Sequence, residues 1–232
     1  MSIYLITGAA EGLGRSLALA LAQDDNQLIL LDKNLGALNH LYDAIVASET
    51  SRAEPALFPM DLLGANIDHY GQLQTALESE YGHLDGVFLN AAILPAFTPI
   101  EYFEFTQWYE VLHTNLNANF HLIQQTLPLL RAASAGQLVA MLDRNLEANP
   151  AYYGAYGVAK AGLEQLMKTL ATENQKDKIR FYSVKLGAFQ SNTRSRQFPS
   201  ENPDTIPTSQ AIAIELLKAL QNDCNTDGLQ KL

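Results

Sequence analysis

The sequence predicts an α/β fold in which helices cover both faces of a doubly wound parallel sheet, giving three layers. Short apolar runs alternate regularly with longer amphipathic segments, which is the pattern of parallel strands joined by helical crossovers. A glycine-rich turn joins the first apolar run to the first amphipathic segment, as in Rossmann-type sheets. Hydrophobic residues make up 47% of the 232 residues and charged residues 17%, which is enough apolar material for one sizeable core.

Each strand is predicted from a short apolar run bounded by turn residues. The six runs occupy residues 3–6, 27–31, 56–60, 84–89, 137–142 and 179–186. The segments between them place apolar residues at helical spacing. They predict helices after the glycine turn and at about 35–48, 67–81, 102–131, 152–173 and 208–220. We expect the long region over 102–131 to break near Tyr109.

Composition and charge exclude several classes of protein. A formal net charge of −10 repels nucleic acid and anionic lipid, so neither is an expected partner. No apolar run is long enough to span a membrane, and the first residues lack a signal-peptide pattern. The single cysteine, Cys224, fits a reducing cytoplasm. We expect one domain over 1–232, a cytoplasmic location and no metal ion.

The glycine-rich turn at residues 7–14 predicts a dinucleotide site. Gly8, Gly12 and Gly14 would let the backbone approach a pyrophosphate, and the following helix N-terminus would supply N–H donors. Glu11 and Leu13 lie among these glycines and are included in the predicted site. A simple turn is the alternative, but the position between a strand and a helix favours dinucleotide binding.

Asp32 ends the second predicted strand, 18 positions after Gly14. A carboxylate there would accept hydrogen bonds from the adenosine ribose hydroxyls, or would merely cap the next helix. Asp32 and Glu11 would together repel a 2′-phosphate, so we expect NAD(H) in preference to NADP(H). Lys33 is the contrary sign and leaves NADP(H) possible.

Tyr156 and Lys160 stand four positions apart in a predicted helix, so they project from one face. A phenol beside an ammonium is expected to have a pKa lowered toward neutrality, which suits proton transfer to or from a carbonyl or alcohol oxygen. The same spacing also occurs on ordinary amphipathic helices.

With these features in this order, residues 2 to about 193 resemble the short-chain dehydrogenase/reductase family. The resemblance implies an oxidoreductase in which Tyr156 is the general acid/base. It also implies that Lys160 lowers the pKa of Tyr156 and binds the nicotinamide ribose.

Three further motifs carry the resemblance. Asp61 and Leu62 resemble the pair after the third strand that holds the adenine, and Asn90 and Ala91 resemble the turn after the fourth strand. Asn115 resembles the asparagine that shapes a helix bend and supports a proton relay. Taken singly, Asn90 could cap a turn and Asn115 could be a polar residue in a helix kink.

The chain departs from the family pattern at the catalytic serine. Asp143 stands 13 positions before Tyr156, where the family has that serine. A carboxylate accepts a hydrogen bond but donates none, so Asp143 would position an alcohol substrate yet repel an alkoxide. It would also raise the pKa of Tyr156 by about 1–3 units.

Two more departures lie near the nicotinamide and at the C-terminus. Gly187 follows Lys-Leu instead of the family's Asn-Pro, while Ser191 stands where a hydroxyl touches the carboxamide. Residues 227–229 are too few for an ordinary seventh strand, so the sheet is expected to have six strands, or six plus a stub.

Residues 188–207 contain three prolines and no clear period, which predicts a lid over the substrate. An apolar and aromatic pocket is expected beneath it. Its predicted lining is Ile93, Leu94, Tyr152, Tyr153 and Phe189, all of which could equally be core residues.

Two functions are consistent with this pattern. One is an NAD(H)-dependent oxidoreductase for a small alcohol or carbonyl compound. The other is a dinucleotide-binding homologue with little turnover that serves as a sensor or interaction protein. By resemblance we expect a homodimer or homotetramer formed through the helices at 109–131 and 152–173.

Overall fold

The computed structural model describes residues 1–48 and 53–222, which contain six parallel strands in one sheet. The strands are β1 (Ile3–Thr7), β2 (Gln27–Asp32), β3 (Ala56–Pro59), β4 (Gly86–Leu89), β5 (Gln137–Asp143) and β6 (Arg180–Leu186). Their spatial order is β3-β2-β1-β4-β5-β6. The direction of winding therefore reverses between β1 and β4, where a ligand crevice opens at the carboxyl ends of the strands.

Helices connect the strands and cover both faces of the sheet. They are α1 (Gly12–Leu21), α2 (Leu35–Val46), α3 (Ile67–Tyr81), α4 (Phe105–Leu112), α5 (Ala118–Ala132), α6 (Gly154–Glu173), α7 (Asn192–Gln197) and α8 (Ser209–Asn222). The core on one face includes apolar residues of α3, α5 and α6, and the core on the other includes those of α1, α2 and α8. The predicted three-layer, doubly wound fold is confirmed.

The long helix breaks later than predicted. Instead of a break near Tyr109, α4 runs on to Leu112 and a π-helical turn over His113–Asn117 joins it to α5. Asn115 lies in this turn, fully buried, and its side chain bonds the backbone of Ile93. The wider turn lets that side chain reach the loop after β4, which apolar periodicity does not reveal.

Two other segments differ from the sequence prediction. The stretch after β6 holds the short helix α7, which Ser191 caps by accepting a hydrogen bond from the Arg194 N–H at 3.1 Å. Helix α6 begins at Gly154, because Tyr152 takes a left-handed conformation with φ 72°. The expectations for Cys224 and for a seventh-strand stub fall outside the described residues. Within those residues, no helix is long and apolar enough to span a bilayer.

Candidate active site

The glycine turn is packed too closely for side chains. Gly8 has φ +62°, and a Cβ on it would lie 2.9 Å from the Ala91 Cα. A Cβ on Gly14 would lie 2.0 Å from the Gly8 carbonyl oxygen. Gly12 also has positive φ, while Leu13 is buried and anchors the start of α1. The bare backbone at the switch point is a cradle that suits a pyrophosphate.

Thr7 and Asn90 brace this cradle from the two sides of the switch point. The Thr7 hydroxyl accepts from the N–H groups of Asn90 and Ala91, both at 3.0 Å, and donates to the Phe88 carbonyl. The Asn90 side-chain amide donates to the carbonyls of Thr7 and Gly8 at 3.0 and 3.1 Å. The side chains of Asn90 and Thr7 therefore shape the site together, although the sequence pattern did not indicate Thr7 as a site residue.

Asp32 lies at the end of β2, beside the cradle. One carboxylate oxygen accepts from the Ala10 N–H at 3.1 Å, and the other accepts from the Asn34 N–H at 3.0 Å. It thus links the glycine turn to the start of α2, although the helix cap itself is Asn34. Each oxygen keeps a lone pair for a ribose hydroxyl.

The predicted adenine contacts separate into an exposed and a buried residue. Asp61 is exposed, and one of its oxygens accepts from the Leu63 N–H at 3.1 Å. The side chain of Leu62 is buried in the sheet core. Only the Asp61 side chain is therefore accessible to a ligand.

Tyr156 and Lys160 lie one turn apart on α6, with the Lys160 Nζ 5.8 Å from the centroid of the Tyr156 ring. Lys160 is buried, and its ammonium donates to the Met141 carbonyl at 2.7 Å. Burial lowers the pKa of Lys160 from 10.5 to about 8, while the nearby Asp143 opposes the shift. At neutral pH the ammonium is therefore still mostly charged.

The pKa of Tyr156 is raised, whereas the sequence predicted that Lys160 would lower it. Burial raises this pKa well above its usual value, and the Asp143 carboxylate raises it further as a nearby charge and a hydrogen-bond partner. The expectation of a phenol near neutrality is therefore wrong for this structure. The effect of Asp143 has the predicted sign, because a carboxylate disfavours a second negative charge beside it.

Asp143 is the last residue of β5 and lies half-buried. One of its oxygens accepts from the Asn145 N–H at 2.8 Å and caps a turn of 3₁₀ helix. No lysine or arginine in the described ranges forms an ion pair with Asp143. The carboxylate beside the phenol thus lacks a bonded counter-cation in this part of the chain.

Asn115 fixes the loop that runs from β4 toward the pocket. Its side-chain oxygen accepts from the Ile93 N–H, and its amide donates to the Ile93 carbonyl, both at 2.8 Å. The Asn115 carbonyl in turn accepts from the Asn119 side chain at 2.7 Å. Both halves of the Asn115 side chain are committed to positioning Ile93.

The segment over 188–207, which the sequence predicts as a lid, lies against the glycine cradle at Ser191 and Asn192. A Cβ on Gly12 would lie 4.0 Å from the Ser191 Cβ, and the Asn192 amide donates to the Glu11 carboxylate at 3.3 Å. Just before it, a Cβ on Gly187 would lie 2.6 Å from an Arg144 nitrogen, so Gly187 admits that side chain. Glu11 and Ser191 therefore lie on one side of the cradle, while Gly187 lies against the Arg144 side chain.

Helix α7 is tied to the loop after β4. Gln197, the last residue of α7, donates to the carbonyls of Leu94 and Pro95 at 3.1 and 2.8 Å. Arg194 forms a two-point ion pair with Glu201, each contact at 2.7 Å. The Gln197 contacts hold the end of α7 against that loop.

An aromatic wall, defined as Tyr153, Phe97 and Phe198, connects the residue after α7 with the start of α6. Tyr153 stacks on Phe97 at 4.9 Å between centroids, and Phe97 meets the edge of Phe198 at 5.4 Å. The Tyr153 ring lies 6.0 Å from the Tyr156 ring. Phe97 was missed in the sequence because it lies in an irregular stretch with no periodic signal.

The other predicted pocket residues have different environments. Ile93 and Leu94 are half-buried in the loop after β4. Tyr152 is 55% exposed, and Phe189 packs against the sheet core formed with α1, α2 and α8. Ile93, Leu94 and Tyr153 are therefore partly accessible, and Phe189 has a role in packing.

Comparison with known proteins identifies the family. The family model described as short chain dehydrogenase matches residues 2–202. The chain belongs to the short-chain dehydrogenase family. As a member, it is an oxidoreductase, and the cradle, the accessible Asp32 carboxylate and the Tyr156–Lys160 pair fit a nicotinamide dinucleotide.

Individual short-chain dehydrogenases match most of the chain. The uncharacterized oxidoreductase YciK of Escherichia coli is 33% identical over 206 residues, covering 89% of this chain and 81% of YciK. Cyclohexanol dehydrogenase of an Acinetobacter species is 32% identical over 188 residues, covering 80% and 72%. A Shigella flexneri short-chain dehydrogenase complexed with NADP superposes with a TM-score of 0.90 at 32% identity, covering 99% and 93%.

The buried lysine of this short-chain dehydrogenase predicts a rise in stability from about pH 8 to pH 10. Folded Lys160 loses its proton above about pH 8, whereas the unfolded lysine keeps it up to about 10.5. The unfolded state then binds more protons, so the free energy of unfolding rises with pH, by about 2 kcal/mol over this window. Urea denaturation of wild type and Lys160→Met at both pH values measures it. An equal rise in both proteins would contradict the assignment.

Proposed function

We propose that the protein interconverts a small alcohol and a carbonyl compound by hydride transfer, with Tyr156 as general acid/base. The observation that supports this proposal is that Lys160, one turn from Tyr156, bonds Met141 near the carboxyl end of β5, while the glycine cradle lies at the carboxyl ends of β1 and β4, next to β5 in the sheet. A bound nicotinamide would supply or accept the hydride. A phenol with a raised pKa is protonated at neutral pH, the form that gives a proton to a carbonyl oxygen during reduction.

The remaining site residues take supporting roles in this proposal. Lys160 would bind the nicotinamide ribose, Asn115 would support the relay and Asp143 would position the substrate. The proposed cofactor contacts are Gly8, Glu11, Gly12, Leu13, Gly14, Asp32, Asp61, Leu62, Asn90, Ala91, Tyr156, Lys160, Gly187 and Ser191. For Leu62 and Asn90, whose side chains are used within the protein, the contact would come from the backbone.

A turnover screen tests this proposal. Purified protein is assayed with both nicotinamide cofactors against small cyclic and aryl alcohols and ketones, beginning with cyclohexanol because a relative is named for it. Turnover that disappears in Tyr156→Phe supports the proposal. Cofactor binding without turnover of any compound contradicts it.

We propose NAD(H) as the preferred cofactor, because the Asp32 carboxylate stands where a 2′-phosphate would bring like charge. The NADP held by the Shigella relative points the other way, and the exposed Lys33 would serve such a phosphate. Calorimetric titration is expected to show NADH binding about tenfold or more tighter than NADPH. Asp32→Ser is expected to narrow this ratio and Lys33→Ser to widen it. Tighter binding of NADPH than of NADH by the wild-type protein would contradict this preference.

A second function is motivated by Asp143. A carboxylate that holds the proton on Tyr156 disfavours the phenolate needed for alcohol oxidation. A protein in this state would bind the dinucleotide but turn over little, and would act as a sensor or interaction partner. Its distinguishing result is cofactor binding by wild type together with activity that appears only when Asp143 is replaced.

We also infer a homo-oligomer, a dimer or a tetramer, formed through α4, α5 and α6. Phe105 and Tyr109 lie one turn apart on α4 and are 81% and 68% exposed. Phe120 on α5 and Val158 on α6 are exposed as well. Large apolar side chains gathered on neighbouring helices favour burial against a second copy. Sedimentation equilibrium that shows only monomer at every concentration would contradict this inference.

A further inference from the structure

None of the nearby cations in the described part of the chain forms an ion pair with the Asp143 carboxylate. Arg194 is held by Glu201 through two contacts of 2.7 Å. Lys160, the closest buried cation, donates instead to a backbone carbonyl. One Asp143 oxygen caps a turn through the Asn145 N–H. The carboxylate also accepts a hydrogen bond from Tyr156, and Lys160 and Arg194 act on it only as nearby charges. Since a half-buried carboxylate favours a directly bonded cation, a cationic group on the substrate would supply the ion pair that the lysines and arginines of residues 1–48 and 53–222 do not form with it.

Tyr153 of the aromatic wall lies near Asp143, since its pKa is raised by burial and then by the charge of that carboxylate. The Phe198 ring already carries the Arg194 guanidinium, whose carbon lies 3.9 Å from the ring centroid, so Tyr153 and Phe97 are the rings that would contact a substrate ammonium. Tyr153 and Phe97 continue the wall from there to the catalytic Tyr156. Aromatic faces attract ammonium groups, and desolvation strengthens that attraction. A carboxylate next to such faces is a recognition site for an organic ammonium ion.

We propose that Asp143 selects a substrate that carries an ammonium group next to the reacting carbon, an amino alcohol or amino ketone. The inference rests on the proposed oxidoreductase function and deepens it. The ammonium would pair with Asp143 and lie against the aromatic wall while the oxygen on the neighbouring carbon meets Tyr156. A substrate with a carboxylate in the same place would be repelled.

This pairing would also offset the effect of the Asp143 charge on the pKa of Tyr156. The charge of Asp143 is one reason why the pKa of the phenol is raised. An ammonium bound to the carboxylate neutralises that charge, so the phenolate becomes easier to form when the correct substrate is present. The replacement of serine by Asp143 would then make proton transfer depend on the charge of the substrate.

Three aryl alcohols that share the same benzylic carbinol and differ in the neighbouring group test the proposal. Phenylethanolamine is cationic, phenylethylene glycol is neutral and mandelate is anionic near neutral pH. Initial rates with the preferred cofactor are expected to give the order cationic, neutral, anionic in kcat/KM, with about tenfold or more between the first two. In Asp143→Asn, which keeps the size and removes the charge, the three values are expected to converge.

The outcomes separate this inference from the proposed function. Turnover of the neutral diol that equals or exceeds turnover of the amine would overturn the inference and leave the oxidoreductase function standing. Turnover of none of the three alcohols would contradict the proposed function. Calorimetric titration of each alcohol into the cofactor-loaded protein would then decide the inference. Binding of the amine no tighter than that of the diol, or no binding of either, would overturn it. The ranking of the three alcohols is measured on the wild-type protein, so it does not depend on whether a variant folds.

Discussion

Tyr156→Phe is expected to lower kcat by about 10²- to 10⁴-fold, with a much smaller effect on cofactor affinity because the ring and the other proposed cofactor contacts remain. The change removes only the phenolic oxygen, so the ring keeps its place 6.0 Å from Tyr153 and 5.8 Å from the Lys160 Nζ. The proton donor is lost while the glycine cradle and Asp32 stay intact. Steady-state kinetics with calorimetric cofactor titration measure both quantities.

The matched control is Tyr153→Phe. Tyr153 is the neighbouring tyrosine of the same site, and its stacking on Phe97 needs only the ring. This variant is expected to keep kcat within about tenfold of wild type, because it loses no proton donor to the reacting oxygen. Equal losses in both variants would show that Tyr156 acts through packing.

Asp143→Ser is expected to shift the pH dependence of kcat for a neutral alcohol to lower pH by about 1–3 units. The carboxylate raises the pKa of Tyr156 both by its charge and as a hydrogen-bond partner. A serine removes the charge and adds a donor for the developing alkoxide. At a fixed pH below the Tyr156 pKa, each unit is worth up to about tenfold in the phenolate population. A pH–rate profile for alcohol oxidation measures the shift.

Asp143→Ala provides the control for this prediction, because it removes the charge and supplies no hydrogen-bond donor. It is expected to shift the pH profile while recovering less of the rate than the serine variant. A pH profile unchanged in both variants would show that Asp143 does not control Tyr156. Wild type inactive toward every alcohol, with activity in the serine variant, would favour the sensor function.

The regular part of the fold was predictable because it depends on local patterns. Apolar runs located all six strands within two residues, and the helix over Ile67–Tyr81 was predicted at both ends. The family resemblance implied a helix bend at Asn115, but periodicity did not predict the π turn, because this turn serves a contact between Asn115 and Ile93, 22 positions away in sequence. Periodicity within a helix carries no record of such a partner.

The candidate site was predictable as a set of residues but less so as an electrostatic arrangement. The spacing of Tyr156 and Lys160 placed them correctly on one helix face. It did not show that the Lys160 ammonium would donate to the Met141 carbonyl. Nor did it show that burial would be the main influence on the pKa of Tyr156. The aromatic wall depends on rings brought together from three separate segments, so no local pattern indicated it.

The side chain of Asn115 acts as a detached peptide group. It offers one acceptor and one donor to the N–H and carbonyl of Ile93, as a neighbouring strand would. Since β4 has ended at Leu89, this single amide extends sheet-like pairing into a loop that has left the sheet. Neither an aspartate nor a serine presents the same planar pair of opposite hydrogen-bonding groups. The position therefore requires an amide of this length, whether or not a proton ever passes through it.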